Sequence, residues 1–455
     1  PPSNSRYRTP PVSCSTPPRA GPRSYCAATP SRTAPGSSAS SASSDQSQGS
    51  GEGEAQRVSV TVTDDSCTAD PATVPAGRVA FEITNSGGVP NEFEVLAENQ
   101  LQIESEKENI GPGTTAELTT ALPEGTYYTA CKPNMVGDFV GLAEFTVTQG
   151  DDVEVSGDVQ AAEDEAVANY TSYVKDQVGQ LVTATQEFNR AYTSGDTERA
   201  RALYPLARQH YERIEPTAES FGLEEPGDLD ASMDARVQDL AADAGKAPND
   251  PEVLRDWTGW HRIEADLFTD DAAGFTFTSD ADRQAAADRL DQDTQKLYDL
   301  VYGEVDGADG AFQLELSDVV DGASGLLEEV ATSKIVGEEE TFSHTDLYDF
   351  QANLEGAQVA YGNVADLVKD QDPDLAGTIE QRFQDVEGLI AAQSTGTDAE
   401  GNALYAPYDR IAAVQDDAMG EAPSDADYTE TQREFSDAVN GLSEPLSQVA
   451  GTVLH

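Results

Sequence analysis

The spacing of apolar residues changes period once along this chain, and that change decides most of what the chain can fold into. Val58, Val60 and Val62 alternate with polar residues, as do Phe81 and Ile83, Phe93 and Val95, and Phe145 and Val147. A two-residue period belongs to half-buried strands. Turn signals at Pro75-Ala76-Gly77, Ser86-Gly87-Gly88, Pro112-Gly113 and Pro123-Glu124-Gly125 separate the runs. Residues 56–149 therefore read as a β-sandwich. Residues 150–165 are acidic and aperiodic, as in a linker. From Ala166 the period becomes helical: Leu203, Ala207, Tyr211, Ile214 and Ala218 form one stripe, and Leu347, Tyr348, Leu354 and Val359 contribute to another. Breaks at Glu225-Pro226-Gly227, Ala247-Pro248-Asn249 and Gln371-Asp372-Pro373 divide the helices, and Ser343-His344-Thr345-Asp346 reads as a capping box. The expected architecture is multidomain, β plus all-α, with an N-terminal β-sandwich followed by helical bundles over residues 166–455. Residues 1–55 are rich in Pro and Ser, carry no acid before Asp45, and lack the apolar core of a signal peptide. They read as a disordered tail.

Charge narrows the partners. Lys plus Arg total 27 against 84 Asp plus Glu, a formal net charge of −57. Such a surface repels nucleic acid and anionic membranes and attracts cations. General acidification, as in salt-adapted or secreted proteins, accounts for most of these acids, so charge alone does not argue for a metal. No apolar run approaches the roughly 20 residues of a membrane-spanning helix. A phosphate-cradling Gly loop, a Gly-x-Ser-x-Gly elbow and a two-His zinc-protease helix are all missing.

The stretch Trp257 to Phe268 singles itself out. Trp257, Trp260, Leu267 and Phe268 fall at helical spacing, and His261 and Glu264 fall inside the same stripe. A buried imidazole and carboxylate need partners. A metal ion such as iron, zinc or manganese would satisfy them; so would a His–Glu hydrogen bond within a core. The chain has only four His, and Tyr211-Glu212-Arg213-Ile214-Glu215 echoes Trp260-His261-Arg262-Ile263-Glu264. On this echo Glu215 lies near its apolar stripe and Glu212 off it, so Glu215 is the better ligand candidate. Glu355 also falls on an apolar face, where pairing with an Arg explains it equally well. His344, beside Asp346 in the capping segment, reads as a surface or supporting residue, and His210 as packing.

The β domain offers a different donor set. The loop from Gly125 to Gly137, with Cys131 and Met135, resembles the last copper-binding loop of cupredoxins. A blue-copper centre needs two His, and residues 56–149 contain none. Glu92 and Glu94 share a strand face, and Glu104, Glu106 and Glu108 share another. This Glu row reads as a solvated edge strand or as ligands for a hard cation. Cys67 and Cys131 read as either a disulfide or metal ligands.

Three segments carry a family resemblance. Gly259-Trp260-His261-Arg262-Ile263-Glu264 looks like the Gly-x-His-x-x-Glu signature of imelysin-like proteins. Arg208 to Pro216 resembles a second family segment. Ser333-Lys334-Ile335-Val336-Gly337-Glu338-Glu339, followed by Ser343 to Gly356, resembles a third. With a cupredoxin-like domain in front, the chain is similar to the extracytoplasmic components of Efe-type iron-uptake systems. The resemblance implies a helical domain of packed four-helix bundles that binds iron; from the residues, Glu215, His261 and Glu264 are expected to hold it, with Glu212 as a further donor. It implies a second site for copper or ferric iron at Asp64, Cys67, Glu92, Glu94, Glu106, Glu108 and Cys131, where ferrous iron would be oxidised. It also implies a periplasmic or secreted location, and a membrane iron permease and a haem peroxidase as partners. The imelysin-like name carries an alternative, a metal-dependent peptidase using His261 and Glu264.

Overall fold

A computed structural model describes residues 55–150, 159–217, 222–223, 227–270, 272–303, 312–415, 418, 420, 422–424 and 426–453. Apart from Ala55, the expected N-terminal tail lies outside the described residues, as do Ala218 of the first helical stripe and Glu225-Pro226 of the expected break. The β domain holds β1 (Gln56–Val62), β2 (Cys67–Asp70), β3 (Thr73–Pro75), β4 (Gly77–Asn85), β5 (Asn91–Leu96), β6 (Ile103–Ile110), β7 (Thr115–Leu122), β8 (Gly125–Pro133) and β9 (Val140–Thr148). One sheet runs β2-β1-β4-β7, with β1 and β4 parallel; the other runs β3-β9-β8-β5-β6. The alternating residues do what their period requires. Val58, Val60, Val62, Phe81 and Ile83 turn inward to meet Phe93, Val95 and Phe145 of the opposite sheet, with Phe81 5.2 Å from Phe93 and 5.5 Å from Phe145 between ring centroids. Cys67 on β2 and Cys131 on β8 are joined in a disulfide that ties the two sheets together.

The helical domain contains α1 (Val159–Ser194), α2 (Thr197–Glu212), α3 (Leu229–Asp234), α4 (Val237–Ala244), α5 (Pro251–Asp256), α6 (Trp260–Phe268), α7 (Asp280–Val301), α8 (Leu316–Thr332), α9 (Asp346–Gly362), α10 (Ala365–Gln371), α11 (Pro373–Ala391), α12 (Glu430–Leu446) and α13 (Val449–Val453). Helix α1 begins inside the acidic stretch read as a linker. Ala161, Ala162 and Ala166 are strong helix formers, and they outweigh the repulsion of Glu163, Asp164 and Glu165. The hairpin of α1 and α2 packs against α7 and α9, while α8, α11 and α12 complete the second half. Trp260 anchors the core among Phe188 and Tyr204, at ring separations of 5.4 and 6.0 Å.

Two local expectations change. Trp257 is not on the helix of Trp260: it follows the last residue of α5 and packs with Phe275 and Phe342 in a separate cluster, its indole N–H donating to the Ala235 carbonyl. The Ser343–Asp346 segment is not a capping box. Thr345 precedes α9 without a side-chain cap bond. The Ser343 and Thr345 hydroxyls both donate instead to Glu340, a buried carboxylate that outcompetes the helix end for them.

The edge strand β6 is only partly solvated: Lys107 and Asn109 are exposed, while its glutamates are half-buried. Helix α1 lies along it: Ser172 donates to Glu106 at 2.6 Å, Lys175 to Glu108 at 3.2 Å, and Asn169 to the Glu104 carbonyl at 3.4 Å. Covering an edge in this way removes an exposed strand-pairing surface.

Candidate metal centre

The centre is assembled from three segments far apart in sequence. His261, in the first turn of α6, points Nε2 at Asp234 Oδ1 (3.4 Å), the last residue of α3, and at Glu339 Oε1 (3.3 Å) in the loop before α9. One ligand atom from each of the three lies within 4.8 Å of the others. Gly259 makes this convergence possible. Its φ is +89°, and a Cβ there would sit 2.0 Å from the Met233 carbonyl oxygen. Only glycine tolerates both the conformation and the contact. The main chain before α6 therefore presses against the end of α3, one residue from Asp234.

Glu264 has a different role from the one its position on the stripe suggested. It is buried as expected, but Oε2 faces the other ring nitrogen, Nδ1 of His261, at 3.2 Å. Its Oε1 accepts the Phe342 and Ser343 backbone N–H groups at 2.9 and 2.7 Å. The carboxylate thus orients the imidazole from behind, an arrangement that fixes which nitrogen faces an ion. Burial and Arg208 push the His261 pKa down, but contacts to Asp234, Glu264 and Glu339 outweigh them and hold it well above the ordinary range.

Glu215 and Glu212 do not reach His261. Helix α2 ends at Glu212, so the stripe cannot be extrapolated to Glu215. Glu215 places both oxygens 2.7 Å from the Lys334 ammonium. Glu212, expected off the apolar face, is fully buried between Arg208 and Lys334. Lys334 also contacts Glu339 Oε2 at 3.3 Å, and Arg236 meets that oxygen at 3.2 Å. Glu355 takes the simpler of its two readings, pairing with Arg213 at 2.8 Å. His344 has a positive φ of 55° and lines a separate small cavity with Arg201 and Tyr405. Asp346 is fully buried, and that burial lifts its carboxyl to about 7, with Glu264 and Glu339 adding to the rise.

Asp234 and Glu339 open onto a cleft of about 830 Å³. Among the described residues its wall carries Glu215, Asp230, Asp239, Asp243, Asp318, Asp321 and Glu329 against a single basic residue, Arg236. A concave wall of one sign focuses its field and concentrates small cations at its base. Sequence reasoning did not single out Asp234 or Glu339 as candidate ligands. Glu339 sat inside a segment already singled out, but within the run Glu338-Glu339-Glu340 nothing distinguishes it. Asp234 has no sequence signal among 84 acids.

The β domain brings together only part of the expected set. One oxygen each from Glu92, Glu106 and Glu108 lies within 4.8 Å of the others, at the seam with α1. Cys67 and Cys131 drop out because each sulfur is bonded to the other and no thiolate is left to donate. Asp64 caps a loop, accepting the Gly88 N–H at 2.6 Å, and is not part of the clustered row. Glu94 turns to the buried Lys132, 3.9 Å away, which also meets Asp176 of α1. Burial lifts the Glu94 carboxyl to about 7 and pushes the Lys132 ammonium down. Burial together with Glu94 and Glu106 raises Glu92 well above its usual range. A clustered row of this kind favours protons or a hard cation.

The same two parts are found by comparison with known proteins. A family model described as imelysin, of a peptidase family, matches residues 166–443, and a cupredoxin-like domain model matches residues 37–141. Relatives named iron uptake system component EfeO include one from Yersinia pestis, 37% identical over 362 residues, covering 78% of this chain and 88% of the relative. Those from Escherichia coli K12 and Shigella flexneri are 37% identical over 369 residues, with the same coverage. The chain therefore belongs to the EfeO family, with a cupredoxin-like domain ahead of an imelysin domain.

Proposed function

We propose that this protein is an extracytoplasmic iron-binding component of an iron-uptake system, and that Asp234, His261 and Glu339 hold the iron. One observation carries the reading: His261 Nε2 faces two carboxylates, at 3.4 and 3.3 Å, that open into an acidic cleft. One imidazole and two carboxylates suit ferrous or ferric iron. Three protein ligands leave coordination positions open, so cargo can be handed on. The relatives' names supply the context of iron uptake. Within it, a membrane permease is the proposed acceptor and a haem peroxidase the proposed companion. No helix among the described residues is long and apolar enough to cross a membrane.

Glu92, Glu106 and Glu108 form the proposed second site, for a hard cation such as ferric iron. Without thiolate or imidazole it offers copper or zinc little. For peptidase chemistry, Glu264 would have to act as a general base beside a metal-bound water. It stands instead on the Nδ1 side of His261, held by two backbone N–H groups, and this favours binding over hydrolysis.

Anaerobic calorimetric titration with ferrous iron tests the main site. The wild type is expected to bind, and Asp234→Asn, His261→Ala and Glu339→Gln each to lose that equivalent. Unchanged stoichiometry and affinity in all three would overturn the assignment.

A further inference from the structure

Beyond its proposed ligands, the centre contains a cation of its own. The Arg208 side chain is completely buried. Its guanidinium donates to Asp234 Oδ1 and lies 3.5 Å from Glu339 Oε1. These are the same two oxygens that face His261 Nε2. Any ion gripped by the three ligands would sit beside a buried positive charge at the base of the cleft, where repulsion is screened less than in bulk water.

The surroundings also offer that guanidinium somewhere else to go. Arg208 Nε meets Glu340 Oε1 at 2.8 Å, and Nη2, the nitrogen that lies 3.5 Å from Glu339, also meets Glu212. Asp349 Oδ1 lies 3.9 Å from Nε, too long for a hydrogen bond. Asp349 is fully buried, and neither of its oxygens has a hydrogen-bond partner among the described residues. A buried carboxylate without a donor is costly, and the nearest charged donor is the guanidinium itself. Arginine suits such a shared position, because its planar fork presents five N–H donors to several acceptors at once.

We propose that Arg208 is a displaceable counter-ion that competes with the metal for Asp234 and Glu339, and that Asp349 and Glu340 receive it when the ion binds. This rests on the reading of Asp234, His261 and Glu339 as the iron ligands. The exchange lowers affinity and speeds release. Arg208 thus sets how readily the protein surrenders its cargo. Lys334 and Arg236 act differently, because they contact Glu339 through Oε2, the oxygen turned away from His261.

The test is a double-mutant cycle on the full chain, using anaerobic ferrous iron as the probe. Affinity is read by calorimetry, and release by stopped-flow transfer to excess chelator. Arg208→Gln is expected to bind at least about tenfold tighter and release correspondingly slower. Asp349→Asn, which removes the receiving carboxylate, is expected to bind more weakly. In the Arg208→Gln background, Asp349→Asn should change little, because no guanidinium remains to be received. Arg208→Lys keeps the charge but not the fork and serves as the folding control; its affinity should stay below that of Arg208→Gln. Tighter binding by Arg208→Gln with the predicted non-additivity supports the proposal. Equal or weaker binding by a folded Arg208→Gln, or additive effects, overturns it while leaving the ligand assignment intact. If wild-type binding survives His261→Ala, the ligand assignment fails and this proposal fails with it.

Discussion

The two candidate metal positions answer the same electrostatic problem with different materials. In the helical domain, carboxylates crowd around one imidazole, and three permanent cations (Arg208, Arg236 and Lys334) share the load. At the seam, Glu92, Glu106 and Glu108 have oxygen donors alone, with Lys175 on Glu108 and a hydroxyl on Glu106. The first position is buried and opens onto an acidic cleft; the second lies along a strand edge covered by a helix. A nitrogen donor held by a carboxylate behind it gives the first a fixed direction of approach. The second lacks any comparable orienting group and depends on how α1 lies against β6. The contrast teaches that charge density alone does not define a site: the imidazole and its orienting carboxylate are what set the helical position apart.

The largest expected effect separates the two. His261→Ala should weaken iron binding in the helical domain by at least about a hundredfold, leaving any equivalent lost in Glu92→Gln plus Glu106→Gln untouched. Calorimetric stoichiometry in the two variants and their combination measures this, and a shared loss would merge the sites into one. Next, replacing both Cys67 and Cys131 by Ala should cost the β domain about 2–5 kcal/mol of stability, with metal stoichiometry unchanged. Denaturant unfolding followed by metal analysis reads both quantities, and loss of an equivalent would return the sulfurs to the ligand set.

Smaller effects sharpen the helical side. The Asp346 carboxyl is lifted from the ordinary range to about 7, first by burial. Its folded pKa is raised, so its stabilising contribution is present in full below about pH 4 and is lost as pH rises through 7. Asp346→Asn should therefore stabilise the metal-free protein at pH 8 by roughly 2–4 kcal/mol, with the gain shrinking toward pH 4. Melting curves across that range test it, and a pH-independent gain would contradict it. Glu264→Gln should weaken iron binding about 10–100-fold without removing the equivalent, as expected of a group that orients a ligand. Complete loss would make Glu264 a direct ligand. Glu355→Gln, at the half-buried pair with Arg213, should cost no more than about 1 kcal/mol and leave binding alone.

How much of this was legible in the sequence depends on the range of the interaction. The change of period near residue 150 exposed both domains, because alternation and helical stripes are written locally. His261 and Glu264 were legible as inward-facing for the same reason. The family resemblance drew attention to the segment holding Lys334 and Glu339 but not to their roles. Asp234 could not be read: it lies 27 residues from His261 on a six-residue helix, and only the packing at Gly259 brings the two together. Glu215 was misplaced because the helix carrying the stripe stops at Glu212. The cap at Ser343 failed because a buried carboxylate five residues before Thr345 claimed the hydroxyls. In each miss, a long-range contact or a helix end overrode a local pattern.

The glycine at position 259 has one more consequence. Since bare main chain, with nothing projecting between, sets the spacing of the two segments that carry Asp234 and His261, the donor groups can be exchanged without moving the scaffold. Replacing Asp234 by His, or His261 by Asp, would retune which ions are preferred while the segments keep their distance. A bulkier residue at 259 would do the reverse, prying the segments apart and leaving the donors intact but out of reach of one another.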